Sequence, residues 1–179
     1  MRSSLNDILD GVAIPTSYKI GYVSNYYREP SFREIERALG LTRPEILSLI
    51  FLCFQDGITV TDICEFSGHL KANISRAVIA LEKKGLIERR PYENDQRRQL
   101  LFMTAKGHAM HERFMPGLAQ REAGMLACLS AKEREQFDAI LRKLCAHAKD
   151  WSSLSVMDTT PGPESGARSG PGPGSEPGI

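Results

Sequence analysis

The sequence has few of the features that mark secreted, membrane or redox proteins. Its 179 residues include only four cysteines, which lie far apart and form no CxxC pair. That spacing argues against a disulfide framework or a zinc ribbon and fits a reducing, cytoplasmic environment. No apolar run approaches the roughly 20 residues that span a bilayer. Residues 1–11 lack a basic cluster followed by an apolar stretch, so we expect no secretory signal.

The residue patterns of common enzyme classes are also lacking. The sequence contains no glycine-rich phosphate loop, and Ser75 has no evident histidine and acid partner. Glu93 and Asp95 fall in a segment that predicts a turn rather than an acid–base pair. We therefore expect a protein that is not an enzyme and needs no cofactor or metal. With 41% hydrophobic and 25% charged residues, the composition is typical of a globular protein.

Charge is unevenly distributed behind the net value of +1. Residues 71–106 carry nine basic and four acidic side chains, a local net charge of +5. Residues 152–179 carry one arginine and three acids, and 17 of these 28 residues are Gly, Pro or Ser. We predict a disordered tail there, because almost nothing in it can be buried. The basic window indicates either a solvated surface or contact with a polyanion.

The N-terminal part predicts helices separated by short breaks. Tyr18 to Arg28 has a helical pattern, which Pro30 is expected to end. Ser31 and Glu34 have capping-box spacing, so we expect them to open a short helix that Gly40 closes.

Two further helices follow. Thr42 and Glu45 form a better capping box, which predicts an apolar helix through Phe54. After a short β-branched stretch at 58–60, Thr61 is expected to cap a helix that ends before Gly68.

The helix predicted over residues 70–84 is the most informative one. Its apolar side chains form one stripe: Leu70, Ile74, Ala77, Val78 and Leu81. The opposite face is small, hydrogen-bonding or basic, and Lys71 and Asn73 flank it near the N-terminus. It carries Ala72, Ser75, Arg76, Ile79 and Lys83. Such a face fits a major groove about 12 Å wide, where Arg and Asn contact base edges and Lys contacts phosphate. An ordinary surface helix is the alternative explanation.

The residues that follow favour DNA binding. Residues 86–90 and 99–103 can form two strands around a turn-rich segment, and Thr104 can cap the next helix. Two helices followed by such a hairpin form a winged helix-turn-helix. The hairpin tip carries Arg97 and Arg98, which can reach the adjacent minor groove, where negative potential attracts guanidinium.

Asp95 is an apparent contradiction in this wing, because a carboxylate near DNA is repelled. We expect it to brace the wing by pairing with Arg89 or Arg97. The simpler alternative is a turn-forming Asp after Asn94.

Three stretches carry a family resemblance. Residues 80–89 (ALEKKGLIER), residues 95–97 (DQR) and residues 101–107 (LFMTAKG) resemble the MarR family of bacterial transcription regulators. The resemblance extends from Tyr18 to Trp151, which is most of the chain predicted to be ordered.

The resemblance implies a homodimer whose first and last helices interlock, with two winged helices contacting palindromic DNA. It also implies that Arg97 enters the minor groove and that the N-terminal half of the 70–84 helix supplies base contacts. One departure concerns the start of that helix. The family usually has a small hydroxyl residue there, preceded by an apolar one, whereas this sequence has Leu70 preceded by His69.

We thus predict a mainly α-helical protein with a small β-hairpin wing. Its predicted parts are N-terminal dimerisation helices (1–40), a winged helix-turn-helix domain (41–107), C-terminal dimerisation helices (108–151) and the tail (152–179). Dimerisation also follows from the last helix, whose apolar stripe exceeds what a small domain can cover: Phe137, Ile140, Leu141, Leu144 and Ala148.

The tyrosines suggest a ligand. Tyr18, Tyr22 and Tyr26 are spaced i, i+4, i+8 on one helix face, which can form dimer core or line an aromatic pocket. Lys19 or Arg43 could hold a carboxylate there. We therefore expect a small aromatic acid as inducer, and regulators of nicotinate or phenolic-acid catabolism are the first subgroup to test.

Other sensing modes use other residues. A metal site could begin where three ligands share one helix face: His108, His111 and Glu112. A redox switch would favour Cys145, because Cys53 and Cys64 lie among apolar neighbours and are expected in the core. The predicted function is a ligand-responsive repressor. The alternatives are a redox- or metal-sensing regulator, a nonspecific nucleoid-type DNA-binding protein and a winged-helix module for protein contacts.

Overall fold

The structure, a computed structural model, describes residues 4–92 and 95–157, and for residues 95–97 it describes the backbone alone. Within these residues the chain forms α1 (Leu5–Gly11), α2 (Pro15–Leu39), α3 (Arg43–Phe54), α4 (Val60–Ser67), α5 (Lys71–Lys83), β1 (Ile87–Tyr92), β2 (Asp95–Met103), α6 (Ala105–Met125), α7 (Ala131–Ala146) and α8 (Ala148–Ser152). They divide into two compact units, and the boundary along the chain falls between Cys128 and Leu129. Most of the predicted tail, from residue 158 onward, lies outside the described residues.

The core of the first unit is built from α2, α3, α4, α5, α6 and the hairpin. Its fully buried side chains include Leu41, Ile46, Leu49, Ile63, Ile74, Leu81, Leu86 and Leu101. The capping box predicted at Thr42 is confirmed, because Glu45 Oε2 accepts the Thr42 backbone N–H at 2.6 Å. The other oxygen of this buried carboxylate lies 2.6 Å from Lys84 Nζ, which fixes the end of α5 against α3.

The predicted wing is present as an antiparallel hairpin. Ile87 pairs with Met103, and the register continues to Pro91 opposite Gln99 before an irregularity. The β-branched stretch before α4 forms only a bridge, in which the Leu101 backbone N–H donates to Ile58 O at 2.8 Å. The fold is therefore mainly helical with a small β-hairpin wing, as predicted.

Pro30 does not end a helix, contrary to the prediction. Helix α2 continues through it from Pro15 to Leu39. Residues on both sides of the proline pack against the rest of the first unit. Before it, the Tyr27 hydroxyl donates to Leu118 O of α6 at 3.3 Å, and after it Phe32 and Ile35 are buried. This packing outweighs the roughly 3 kcal/mol that an interior proline costs a helix.

Two predicted caps are wrong for related reasons. Ser31 lies inside α2, where its hydroxyl donates to Tyr27 O at 2.6 Å instead of capping a new helix. Thr61 does not cap α4. The cap is Thr59, because Asp62 lies three positions after it and completes a capping box. Its backbone N–H donates to Asp62 Oδ2 at 2.7 Å, and its hydroxyl accepts the Asp62 backbone N–H at 3.2 Å.

The second unit contains α7 and α8, separated at His147 rather than joined in one long helix. Ser130 and Glu133 form a capping box at the start of α7. No side chain of α7 is buried, and the predicted apolar stripe is exposed: Phe137, Ile140, Leu141 and Leu144. Among the described residues, no helix is both long and apolar enough to cross a membrane.

Candidate nucleic-acid interface

Helix α5 has one buried side and one exposed side, as its sequence pattern predicts. The buried side consists of Ile74, Ala77, Val78 and Leu81. The other side carries the predicted DNA-contacting residues, which we call the α5 face: Lys71, Ala72, Asn73, Ser75, Arg76 and Lys83. Asn73 and Ser75 are half-buried and the others are exposed. Because the core anchors the buried side, the α5 face has a fixed orientation toward solvent.

The start of α5 differs from the prediction. Leu70 is not part of the buried stripe but the N-cap residue, with extended backbone and a 75% exposed side chain. Its side chain therefore does not follow the helical period. No side chain of the described residues caps the start of α5. In the turn before it, Gly68 adopts the left-handed region as the C-cap of α4, and His69 Nδ1 lies 3.0 Å from Ser67 O.

Arg76 is tied to its own helix on the α5 face. Its Nη2 donates to Asn73 Oδ1 at 2.7 Å, and its Nε donates to Ala72 O at 3.2 Å. The guanidinium therefore lies over the N-terminal half of α5. This is the part of a recognition helix that contacts base edges in helix-turn-helix proteins.

The wing contributes further arginines to the basic surface of the protein. Arg98 lies over the Tyr92 ring, with the guanidinium carbon 5.3 Å from the ring centroid, and Arg90 lies 4.4 Å over the Phe102 ring. Both arginines are exposed and keep their charge toward solvent. The predicted minor-groove residue Arg97 belongs to β2, and its side chain lies outside the described residues.

The wing is joined to α5 by an ion pair. Arg89 Nε of β1 lies 3.0 Å from Glu82 Oε2 of α5. The predicted bracing partner Asp95 is in β2, and its side chain lies outside the described residues. Glu82 is therefore the acidic partner that the structure gives Arg89, and sequence reasoning missed it.

A cleft beside the start of α4 is a second feature that sequence reasoning missed. Its volume is about 540 Å³, and it is lined by Thr59, Val60, Thr61, Asp62, Lys71, Arg98 and Gln99. Hydrogen bonds from the Thr59 backbone N–H and hydroxyl hold the pKa of Asp62 below its ordinary value, so this carboxylate caps the helix as an anion. The Thr59–Asp62 spacing is the sequence signal that could have located the helix start.

The residues predicted to line an aromatic ligand pocket lie on α2 and at the start of α3. Tyr22 and Tyr26 have ring centroids 4.6 Å apart, and both Tyr18 and Tyr26 are more than half exposed. The two cations that were expected to hold a carboxylate are each paired within the chain: Lys19 with Asp10, and Arg43 with Glu29. The neighbouring guanidinium lowers the pKa of Glu29, so that pair is ionic.

A groove between α2 and α6 offers a different cavity, of about 490 Å³. Its floor is apolar and includes the buried side chains of Ile35, Phe114 and Leu118. Arg113 and Arg121 also line it, and Arg121 Nη2 lies 3.4 Å from Glu34 Oε2. A cavity of this volume with an apolar floor and a few polar groups suits a small molecule.

The histidines and cysteines form no metal site among the described residues. His111 packs edge-on against Phe114, and burial lowers the pKa of its ring. The prediction that Cys53 is a core residue is wrong, because Leu49 and Leu52 occupy the buried side of α3 and leave Cys53 exposed. Cys64 is half-buried and Cys145 is exposed.

Comparison with known proteins gives consistent matches. A family model described as MarR family matches residues 39–98. The transcriptional repressor MprA of Escherichia coli (strain K12) is 31% identical over 123 residues, which is 68% of this chain and 70% of MprA.

Solved structures agree. A MarR-family transcriptional regulator from Silicibacter pomeroyi superposes with a TM-score of 0.69 at 25% identity, covering 88% of this chain and 99% of that one. MepR of S. aureus, solved as a complex with DNA, superposes with a TM-score of 0.66 at 26% identity, covering 75% of this chain and 97% of MepR.

Proposed function

The chain belongs to the MarR family of transcriptional regulators, and we propose that it represses transcription by binding a palindromic operator as a homodimer. Its relatives are transcriptional regulators and not enzymes. Regulation of transcription by a winged helix-turn-helix is therefore its general function. The proposal adds the operator, the homodimer and the effector that releases it.

The observation that carries the proposal is the α5 face. A helix whose opposite side is fully buried presents an arginine, two lysines and small polar residues to solvent. A duplex in contact with this face would place the base edges against Asn73, Ser75 and Arg76. Lys71 and Lys83 would meet phosphates, and Arg97 and Arg98 of the wing would reach the adjacent minor groove.

The cleft at the start of α4 supports a phosphate contact. The Asp62 carboxylate already caps the start of α4, so the attraction for a phosphate has to come from basic side chains. Lys71 and Arg98 stand on the same cleft and add positive charge. We infer that one backbone phosphate lies there and fixes the register of α5 in the groove.

Exposed apolar surface supports the homodimer. In the first unit, α1 and α2 expose Leu5, Ile8, Tyr18, Ile20, Val23 and Tyr26. In the second unit, α7 exposes its own apolar stripe. Surface of this kind is covered by a partner in stable proteins, and a second copy gives the two-fold symmetry that a palindrome requires.

Footprinting of the DNA upstream of the protein's own gene, followed by anisotropy titration, tests the proposal. We expect one protected palindrome, bound roughly 1,000-fold or more tightly than random DNA of the same length. Equal affinity for both would contradict it and would favour the nucleoid-type alternative.

The proposed effector is a small aromatic acid, and we place it in the groove between α2 and α6 rather than at the tyrosines. Phe114 offers a ring surface there, and Arg113 offers a cation for the carboxylate. Nicotinate and simple phenolic acids should raise the melting temperature and release the operator. An Arg113→Gln variant should bind DNA normally but lose the response. If none of these acids stabilises the protein, the proposed effector is wrong.

A further inference from the structure

The Asn73–Arg76 contact on the α5 face holds one guanidinium in a defined position. Arg76 is anchored twice, by Nη2 to Asn73 Oδ1 at 2.7 Å and by Nε to Ala72 O at 3.2 Å. Both acceptors belong to the preceding turn of the same helix. A free arginine side chain has many rotamers and loses them on binding. A side chain that is already anchored loses less, so its contact with DNA is stronger and more selective.

The two anchors also decide which donors are left for DNA. They occupy the side of the guanidinium formed by Nε and Nη2. The outer edge, formed by Nη1 and the second hydrogen of Nη2, keeps two parallel N–H donors. Arg76 is exposed. The side chain of its neighbour Ala72 is small, so a base edge can approach closely.

Of the base pairs in the major groove, guanine matches this edge. It presents O6 and N7, two acceptors side by side, which a guanidinium fork engages with two hydrogen bonds. Adenine presents a donor, N6, beside N7 and would set donor against donor. Thymine presents one acceptor beside a methyl group, and cytosine presents a donor.

We propose that Arg76 contacts a guanine in each half of the operator through O6 and N7, and that Asn73 is the positioning residue that aims it. The proposal rests on the proposed function, because it assumes that α5 enters the major groove. It goes further by naming the base and the residue that sets its recognition.

A selection experiment supplies the probe. The full-length protein is used to enrich a library of random duplexes, and the enriched palindrome is then synthesised with single changes at each guanine. Replacing the contacted guanine by adenine should weaken wild-type binding by about 5- to 150-fold. Replacing it by 7-deazaguanine, which lacks only the N7 acceptor, should weaken binding less, and Arg76→Ala should respond to neither change.

Variants of Asn73 test whether this residue positions the Arg76 guanidinium or only supports the fold of α5. Asn73→Ala should reduce the preference for guanine over 7-deazaguanine while Arg76 is still present. Asn73→Asp keeps the acceptor, so the preference should match wild type although the added negative charge lowers affinity for every duplex. Lys83→Ala is the control, which should weaken both duplexes by the same factor. Circular dichroism at each step verifies that the variants are folded.

The outcomes are distinguishable. A palindrome in which no guanine depends on Arg76 overturns this inference and leaves the proposed function intact. An unchanged guanine preference in Asn73→Ala overturns the positioning role. If the wild type enriches no sequence at all, the proposed function itself fails.

Discussion

Gly107, in the first turn of α6, has no room for a side chain. A Cβ built there would lie 2.1 Å from Leu86 O and 2.5 Å from Met103 Cγ, and one of these atoms is rigid backbone. Leu86 O also accepts the Thr104 backbone N–H at 3.1 Å, so the helix start and the hairpin base are held together at this point. We expect Gly107→Ala to lower the free energy of unfolding by about 3 kcal/mol.

Gly117, ten positions further along α6, provides the matched control, because a Cβ there would meet nothing within 4 Å. Gly117→Ala should leave stability unchanged or raise it by up to about 1 kcal/mol, since Ala favours helix interiors. Urea unfolding followed by circular dichroism, at equal protein concentrations, measures both variants. Equal stability of the two would show that the start of α6 can shift away from Leu86.

His111 makes stability depend on pH. Burial beside Phe114 lowers the pKa of His111 below its ordinary 6.5, and the charge of His108 lowers it further, while Glu112 opposes the shift. As the pH falls below 6.5, the unfolded chain binds the proton first. The contribution of His111 is therefore present above that pH and is lost as the pH falls through the lowered folded-state pKa.

The expected result is a larger loss of melting temperature between about pH 7.5 and about pH 5.5 for wild type than for His111→Gln. The glutamine keeps a polar side chain of similar reach but does not titrate. Identical losses in both proteins would mean that other groups cause the acid sensitivity.

At the scale of secondary-structure elements, we expect the wing to contribute to operator binding through its positive charge and not through contacts with base edges. Arg97→Ala and Arg98→Ala should each weaken operator binding and make the dependence of log K on log salt shallower by about one unit. Arg90→Ala is the matched control from the other strand, because Arg90 is paired with Glu88 and lies over Phe102. Anisotropy titrations between about 50 and 200 mM salt give these slopes. An unchanged slope in Arg97→Ala and Arg98→Ala would place the wing away from DNA.

A helix or strand could be predicted from the sequence where the interactions that determine it lie between neighbouring residues. The box at Thr42 and the apolar stripe of α5 need only neighbouring residues, and both were predicted correctly except for Leu70, which precedes the helix. Pro30 and Ser31 predict a break in α2, because a proline commonly ends a helix and a serine with an acid three positions later commonly begins one. The deciding contacts, such as Tyr27 with Leu118, come from a segment some 90 positions away and have no local trace.

The same distinction applies to the candidate site. The α5 face lies on one helix, so its period was sufficient to find it. The groove between α2 and α6 and the cleft beside α4 are formed by segments distant in sequence, and their residues carry no shared motif. Lys19 and Arg43 looked available to a ligand because their partners, Asp10 and Glu29, precede them at irregular spacings.

At the scale of the whole molecule, charge and apolar surface fall on different parts of the chain. The basic window over residues 71–106 is balanced elsewhere to a net charge of +1, so the field that DNA would meet is local. The apolar side chains of the α7 stripe are exposed along the helix. A local positive field and a separate apolar stripe are what a two-fold DNA-binding dimer requires.

Ile140 lies in the middle of that stripe and is 59% exposed. We expect Ile140→Lys to dissociate the proposed homodimer, because a second copy would have to bury the new charge. Ala139→Lys adds the same charge to the other side of α7 and should leave the dimer intact. Light scattering after gel filtration measures the mass. Anisotropy with a full palindrome should then show binding about 100-fold weaker or more for Ile140→Lys alone, since the second half-site no longer adds its contribution. A dimeric Ile140→Lys protein with wild-type affinity would mean that the α7 stripe is not the surface through which two copies associate.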